Sequence, residues 1–312
     1  MNDIRDIRVY IKDHYDKFRD NELQGKMGEQ INTKFTYKEL NGREKWVNGF
    51  KFVMEHLMMR GRDDDLSYKY INFYILSLNL QENTGIEEIQ NKIDILNEFF
   101  KKALKDGEKI DTQKGVECDE IAKKFNVNCP KKKNSKDSIK LIMSDICTIT
   151  GLLCLQKEIF DGPKNIFDYL FQTIKEEGVT KAYEVLHRIL YVGDKLASFT
   201  LRDIVLINEE ITEINFKPYD YLSLFPIDTR VSKKAQEILS ELSGFASPEI
   251  LGITKDLDPL YLKIKLINLC EEQGFMKEDK LAPLKLNAGM WYSYGRENNR
   301  GTSQLCNQGS GF

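Results

Sequence analysis

The sequence predicts an all-α protein, and two observations carry this prediction. Apolar residues recur at three- and four-residue steps in most segments, whereas clean alternation of apolar and polar residues is scarce. Hydrophobic residues make up 41% and charged residues 30% of the 312 residues, which is typical of a globular protein. A chain of this length accommodates one large domain or two.

Individual helices are predicted from this spacing together with cap signals. The N-cap residue Thr84, for example, precedes an apolar stripe that ends near Gly107. The predicted helices cover residues 3–18, 46–59, 63–78, 84–107, 137–159, 163–177, 231–242 and 257–273. Residues 107–137 are predicted to form a solvated loop or linker, and the residues from 295 onward an irregular tail. The basic run at 131–133 leaves open a second interpretation, a loop that contacts DNA phosphates.

Several classes of protein are disfavoured by composition. The longest apolar stretch, residues 141–155, is too short and too polar to span a bilayer, and residues 1–20 lack the apolar core of a signal peptide. We therefore expect a cytoplasmic protein, associated with the nucleoid in a prokaryote, and no membrane partner. The six cysteines form no C-x-x-C pair, and the three histidines have no ligand spacing. We expect free thiols, no metal site and no cofactor.

The segment from 178 to 204 contains two amphipathic stretches separated by a short turn. Apolar residues form one helical stripe before Gly193 and a second stripe after it, so the segment predicts two helices joined at residues 192–194. A glycine at this turn allows a partner to approach the backbone closely. The N–H groups that open the second helix are suited to an anion such as a DNA phosphate. By itself, however, this pattern is also typical of an ordinary helical hairpin.

Two motifs extend this interpretation. They read Val192-Gly193-Asp194-Lys195-Leu196-Ala197 and, further along, Phe225-Pro226-Ile227-Asp228-Thr229-Arg230-Val231. In this order they resemble two signatures of the helix-hairpin-helix (HhH-GPD) DNA glycosylase superfamily, Leu-Pro-Gly-Val-Gly-x-Lys-x-Ala and Pro-Val-Asp-Thr-His-Val. The interval of 33 residues from Lys195 to Asp228 is similar to that of the archaeal 8-oxoguanine glycosylase branch.

The resemblance implies a bifunctional DNA glycosylase/AP lyase of base-excision repair. Lys195 would be the amine nucleophile, which forms a Schiff base with the sugar, and Asp228 the carboxylate that stabilises positive charge on the sugar. Because an attacking amine must be neutral, we expect Lys195 to be buried at the foot of a pocket. The target nucleotide must first be flipped out of the duplex. The resemblance names 8-oxoguanine as first choice of base, with another damaged base or a modified viral base as alternatives.

Each motif also has a structural interpretation. A lysine just past a helix start is commonly a solvated charge, and Asp228 is a natural N-cap for the following helix, a role that is compatible with catalysis. The hairpin departs from the family pattern, since Leu190 stands in place of proline and Tyr191 in place of glycine. Arg230 stands where many members have histidine, and it would contact either a phosphate or only solvent.

The resemblance also implies two helical lobes, with the base bound in a cleft between them. Residues 1–135 are expected to share one lobe with 232–312, and residues 136–231 to form the helix-hairpin-helix lobe. We expect DNA contacts at Val192, Gly193 and Arg230, and base contacts at Trp46 and Trp291. The expected partner is double-stranded DNA, bound by a monomer.

The charge of the chain gives this function no support. The net charge is −3, and residues 178–235 contain eight basic and eight acidic side chains. Backbone N–H groups, however, contact phosphates without a basic side chain. The alternative from another class is a non-catalytic helix-hairpin-helix protein that only binds DNA.

Overall fold

The computed structural model describes residues 6–20, 45–58, 71–103 (without 72 and 76), 115–117, 123–125, 140–160, 165–209, 214–243 and 257–306. Within these ranges the chain is mostly helical, which confirms the all-α prediction. The part of the chain described here includes no helix that is both long and apolar enough to cross a bilayer. The basic run at 131–133 lies outside the described residues.

The described helices and strands follow one another with short connections. The helices are α1 (Ile7–Phe18), α2 (Trp46–Met58), α3 (Ile86–Ala103), α4 (Met143–Ile159), α5 (Ile166–Glu176), α6 (Val179–His187), α7 (Asp194–Ile207), α8 (Pro218–Leu224), α9 (Thr229–Ser243), α10 (Pro259–Glu272), α11 (Phe275–Glu278) and α12 (Ala282–Cys306). Two three-residue strands, β1 (Gly115–Glu117) and β2 (Lys140–Ile142), pair antiparallel between α3 and α4.

Two predictions of local structure are wrong. Residues 140–142, predicted to be helical, form β2, because they pair with a segment 25 positions earlier, with Val116 opposite Leu141. Such a tertiary pairing overrides a weak local helical signal. The residues from 295 onward, predicted to be irregular, continue α12 as far as Cys306. Glycine, asparagine and serine each disfavour a helix by about 1 kcal/mol or less, so they do not end a helix that has already formed.

The chain divides into two compact units at other positions than predicted. Unit 1 contains Met1–Met27 and Val205–Phe312, and unit 2 contains Gly28–Ile204. Residues 28–135 therefore group with the hairpin segment, whereas the prediction placed them with the C-terminal segment. The division also assigns residues 205–231 to unit 1, although the prediction placed them with the hairpin.

The core of unit 1 is built on the close packing of α1 against α12. A side chain at Gly289 would lie 3.3 Å from both the Cβ of His14 and the backbone nitrogen of Tyr15, so glycine allows the two helices to approach. The hydroxyl groups of Tyr10 and Ser293 lie 2.7 Å apart across this contact and form a buried hydrogen bond. Helix α9, which follows Asp228, packs on α12 as well.

The core of unit 2 is organised around α2, which packs against α4 and α5. Almost every residue of α2 from Trp46 to Met58 is buried, including Glu55 and His56. Asn165 caps α5 by accepting a hydrogen bond from the backbone N–H of Asp168 at 2.9 Å. A side chain at Gly49 would lie 2.6 Å from the same amide oxygen, so α2 meets the capped end of α5 at close range.

Candidate functional site

The predicted hairpin is present, and it lies in unit 2. Helix α6 ends at His187, residues 188–193 form the turn, and α7 begins at Asp194. Within the turn, the N–H of Val192 donates to the carbonyl of Ile189 at 3.1 Å, and the N–H of Ala197 then donates to the carbonyl of Gly193 at 3.1 Å. Two helices joined by a tight turn were predicted here from the apolar spacing.

The unusual backbone of the turn is at Tyr191 and not at Gly193. Tyr191 has a φ of +66°, in the left-handed region that favours glycine. This is the position at which the family signature has its first glycine, so the turn keeps the backbone conformation with a different residue. Gly193 has no such φ, and a side chain there would meet no atom within 4 Å. The fold itself therefore does not require glycine at 193.

The turn is anchored to α4 by one hydrogen bond and one close contact. The hydroxyl of Thr148 donates to the carbonyl of Leu190 at 3.0 Å. A side chain at Gly151 would lie 2.9 Å from Cγ2 of Ile189, so α4 approaches the turn closely. Val192 is 4% exposed, which places its side chain in the core. The predicted DNA contact of Val192 is therefore open to its backbone and not to its side chain.

The start of α7 carries a carboxylate with two aromatic neighbours. Nε2 of His187 lies 3.3 Å from the carboxylate of Asp194, whose side chain is 86% exposed. The rings of His187 and Tyr183 are stacked, with centroids 4.5 Å apart. Burial, followed by the charge of Asp194, raises the pKa of Tyr183 to about 12. A negative charge thus already lies at the helix end where a phosphate was expected.

Lys195 lies in the first turn of α7, and its side chain is exposed. The expectation that it is buried at the foot of a pocket is wrong for the protein without DNA, because the second position of this helix faces solvent beside the exposed residues Gly193 and Asp194. The location of a lysine beside an exposed glycine on a helical hairpin agrees with the motif.

Asp228 lies in unit 1 and caps α9, as its position before a helix predicted. Its Oδ1 accepts a hydrogen bond from the N–H of Val231 at 2.8 Å, and its carbonyl accepts from the N–H of Ser232 at 2.7 Å. The side chain is partly exposed. A carboxylate has about four acceptor sites, so capping leaves capacity for a second interaction. Lys195 and Asp228 belong to different units, and each is described here within its own unit.

The segment in front of Asp228 is buried. Phe225 is completely buried, Pro226 is buried, and the side-chain amide of Asn287 on α12 donates to the carbonyl of Pro226 at 2.9 Å. The sequence gave no functional weight to Asn287 beyond its place in a closing segment compatible with the family. Its contact depends on tertiary packing, which a local motif does not reveal.

The remaining predicted site residues have different surroundings. Trp46, predicted to contact the base, is a core residue: it is 2% exposed, packs edge-on against Phe50 and Phe160, and donates from its indole N–H to the carbonyl of Glu82. The base-contact prediction is therefore wrong for Trp46. Trp291 is partly exposed and packs edge-on against Phe18.

Arg230, the last of the predicted DNA-contact residues, is partly exposed in the first turn of α9. A guanidinium at this place remains available to solvent, in agreement with either interpretation made from the sequence.

A buried charge network in unit 2, which the sequence did not predict, holds the helix that carries Lys195. Arg202 on α7 is completely buried, and its Nε donates to Oδ1 of Asp203 at 2.7 Å. Oδ2 of Asp203 lies 3.0 Å from Nε2 of His56 on α2. Burial tends to raise the pKa of Asp203, but Arg202 and His56 outweigh burial and lower it. Two adjacent charges on the apolar face of a helix were the available signal.

Unit 1 contains a cavity of about 470 Å³ that none of the predicted site residues lines. Its wall includes Glu209, Asp279 and Lys285, and the Lys285 ammonium lies 2.7 Å from Glu209 and 2.9 Å from Asp279. Burial tends to lower the pKa of Lys285, but its hydrogen bonds to the two carboxylates raise it. These paired charges satisfy one another.

Comparison of the chain with protein-family models, with curated proteins and with solved structures gives no match in any of the three.

Proposed function

We propose that this protein is a bifunctional DNA glycosylase/AP lyase of base-excision repair, acting on double-stranded DNA, with 8-oxoguanine as the first candidate base. The observation that carries the proposal is the anchored hairpin in which the exposed Gly193 is followed two positions later by the exposed Lys195. The Asp228 motif, further along the chain, supplies the carboxylate that the same chemistry needs.

The proposed DNA contact is centred on the backbone of the turn. The N–H groups at the start of α7 point along the helix axis, and the open space around Gly193 allows a phosphate to approach them. The exposed carboxylate of Asp194 opposes this contact, and its neighbour His187 offsets part of that repulsion when protonated. Arg230 is proposed to contact a second phosphate. Few basic side chains take part, so the salt dependence of binding is expected to be shallow.

In the proposed reaction, Nζ of Lys195 attacks C1′ of a nucleotide that has been flipped out of the duplex. A bond forms between Nζ and C1′, the bond from C1′ to the base nitrogen breaks, and the base leaves with the electron pair and takes up a proton. The carboxylate of Asp228 stabilises the positive charge that develops on the sugar. Loss of a proton from C2′ of the resulting imine then expels the 3′ phosphate by β-elimination. The reaction requires both side chains at one nucleotide.

Covalent trapping tests the nucleophile directly. Borohydride reduces the imine, so the wild-type protein should form a protein–DNA adduct on duplexes containing 8-oxoguanine or an abasic site. The Lys195→Gln variant should form none. The Lys181→Gln variant is the matched control, because Lys181 is a partly exposed lysine on the other helix of the hairpin and pairs with Glu184. Adduct formation that survives Lys195→Gln would remove Lys195 from the mechanism.

The exposure of Lys195 favours a second candidate, a helix-hairpin-helix protein that binds DNA without catalysis. Such a protein would bind duplex DNA and yield no adduct on any lesion. A panel of duplexes with 8-oxoguanine, uracil, other damaged bases and the modified bases of viral genomes separates this outcome from a glycosylase with another substrate. Excision of one of the other bases would keep the mechanism and change the substrate.

A further inference from the structure

We propose that Asn287 is a positioning residue for Asp228, acting through the buried segment that precedes the carboxylate. The inference rests on the proposed function, because it gives Asn287 a role only through the chemistry of Asp228. It goes beyond that function in naming a residue outside both motifs, 59 positions after Asp228.

Asn287 is a polar residue in a place that otherwise selects apolar side chains. It is 0% exposed, and so are its neighbours on α12, Leu284, Leu286, Ala288 and Met290. Burying an amide costs free energy unless it is hydrogen-bonded, and an apolar side chain of similar size avoids that cost. A requirement other than packing therefore accounts for the amide at this position.

The contact of Asn287 supplies that requirement. Its Nδ2 donates to the carbonyl of Pro226 at 2.9 Å in a buried hydrogen bond. Pro226 lies in the non-helical segment 225–228, where no helical hydrogen bond is available to hold the backbone. The amide therefore fixes the segment to α12 two residues before Asp228.

The carboxylate is consequently held from both sides. On the N-terminal side, Asn287 fixes Pro226; on the C-terminal side, Asp228 itself binds the N–H of Val231 and the first turn of α9. Loss of the amide releases the first hold and leaves the second intact. The Asp228 carboxylate would then keep its charge and its cap but lose its defined position, and a displacement of about 1 Å costs about 100-fold in rate.

The test is single-turnover excision on an 8-oxoguanine duplex, measured together with DNA affinity and thermal unfolding. The Asn287→Leu variant keeps the volume of the side chain and removes the donor; Asn287→Ala is a second variant in case the first fails to fold. We expect a rate about 10- to 100-fold lower at saturating enzyme, with DNA affinity unchanged. Tyr221→Phe is the matched control, since it removes another side-chain hydrogen bond to a backbone carbonyl of unit 1, the 2.9 Å bond to Lys280.

A double-mutant cycle separates positioning from stability. In an Asp228→Asn background, Asn287→Leu should slow excision no further, because the group it positions has already been disabled. An equal slowing in both backgrounds, a wild-type rate for Asn287→Leu, or an equal loss in Tyr221→Phe would overturn the inference while leaving the glycosylase in place. A wild-type protein that excises none of the bases overturns the proposed function, and this inference with it.

Discussion

The carboxylate of Asp203 lies 3.0 Å from Nε2 of His56 and thereby joins α7 to α2 inside unit 2. Because Arg202 is completely buried beside it, Asp203 balances a charge that has no access to water. The helix that begins with Asp194 and Lys195 is thus fixed at its other end by a buried ionic contact.

Substitution of Asp203 should be severely destabilising. Asp203→Asn leaves the buried guanidinium of Arg202 without its counter-charge, and breaking such a pair costs about 3–5 kcal/mol. Chemical denaturation measures this loss. Asp194→Asn, on the same helix with an exposed side chain, should change stability by less than about 1 kcal/mol. Equal effects of the two substitutions would contradict the importance of the buried pair.

The same carboxylate predicts how acid affects unit 2. The pKa of Asp203 is lowered from its ordinary value of 3.8, so its contribution to stability is present above about pH 4 and is lost as the pH falls below that value. Asp203→Asn should therefore flatten the acid limb of the stability curve.

Glu55 predicts a second pH dependence, with the opposite sign. It is completely buried, and within the described residues neither of its carboxyl oxygens has a hydrogen-bond partner. Burial raises its pKa from 4.5 to about 8, so the folded protein holds a proton that the unfolded chain releases. Stability should fall by about 1.4 kcal/mol per pH unit between those two values. Glu55→Gln should remove this slope in a urea titration series from pH 5 to 9, whereas Glu176→Gln, at an exposed position of α5, should retain it.

The left-handed backbone of Tyr191 predicts a reversed order of two small residues. In a helix, alanine is more stable than glycine by about 1 kcal/mol, and we expect that order at Lys181 on α6. At Tyr191, where φ is +66°, glycine should be more stable than alanine by about 1 kcal/mol. Thermal unfolding of the four variants measures both differences. The usual order at residue 191 would show that the turn has another conformation in solution.

Two substitutions of Asp228 separate its cap from its proposed chemistry. Asparagine caps a helix as well as aspartate does, so Asp228→Asn should unfold like the wild type, whereas Asp228→Ala should lose about 1 kcal/mol. Both variants should excise 8-oxoguanine about 100-fold or more slowly, because neither supplies a negative charge. Wild-type excision by Asp228→Asn would limit the residue to its structural role.

The parts of the structure that the sequence predicted are those set by local spacing. The stripes that flank Gly193 and the cap at Asp228 both depend on residues within a few positions of each other, and both predictions are confirmed. The burial of Trp46 and the exposure of Lys195 depend on which distant helices pack nearby, and both were predicted wrongly. Strand β2 was missed for the same reason, since its partner lies across a long connection.

Gly193 has a consequence for how this protein changes over evolution. A side chain there would meet nothing in the folded chain, so selection for folding alone does not preserve the glycine. Its retention or loss in descendants of this sequence would therefore report what the hairpin binds. Lineages that keep a phosphate contact should keep glycine, and lineages that abandon it should drift towards alanine or serine at no cost to the fold.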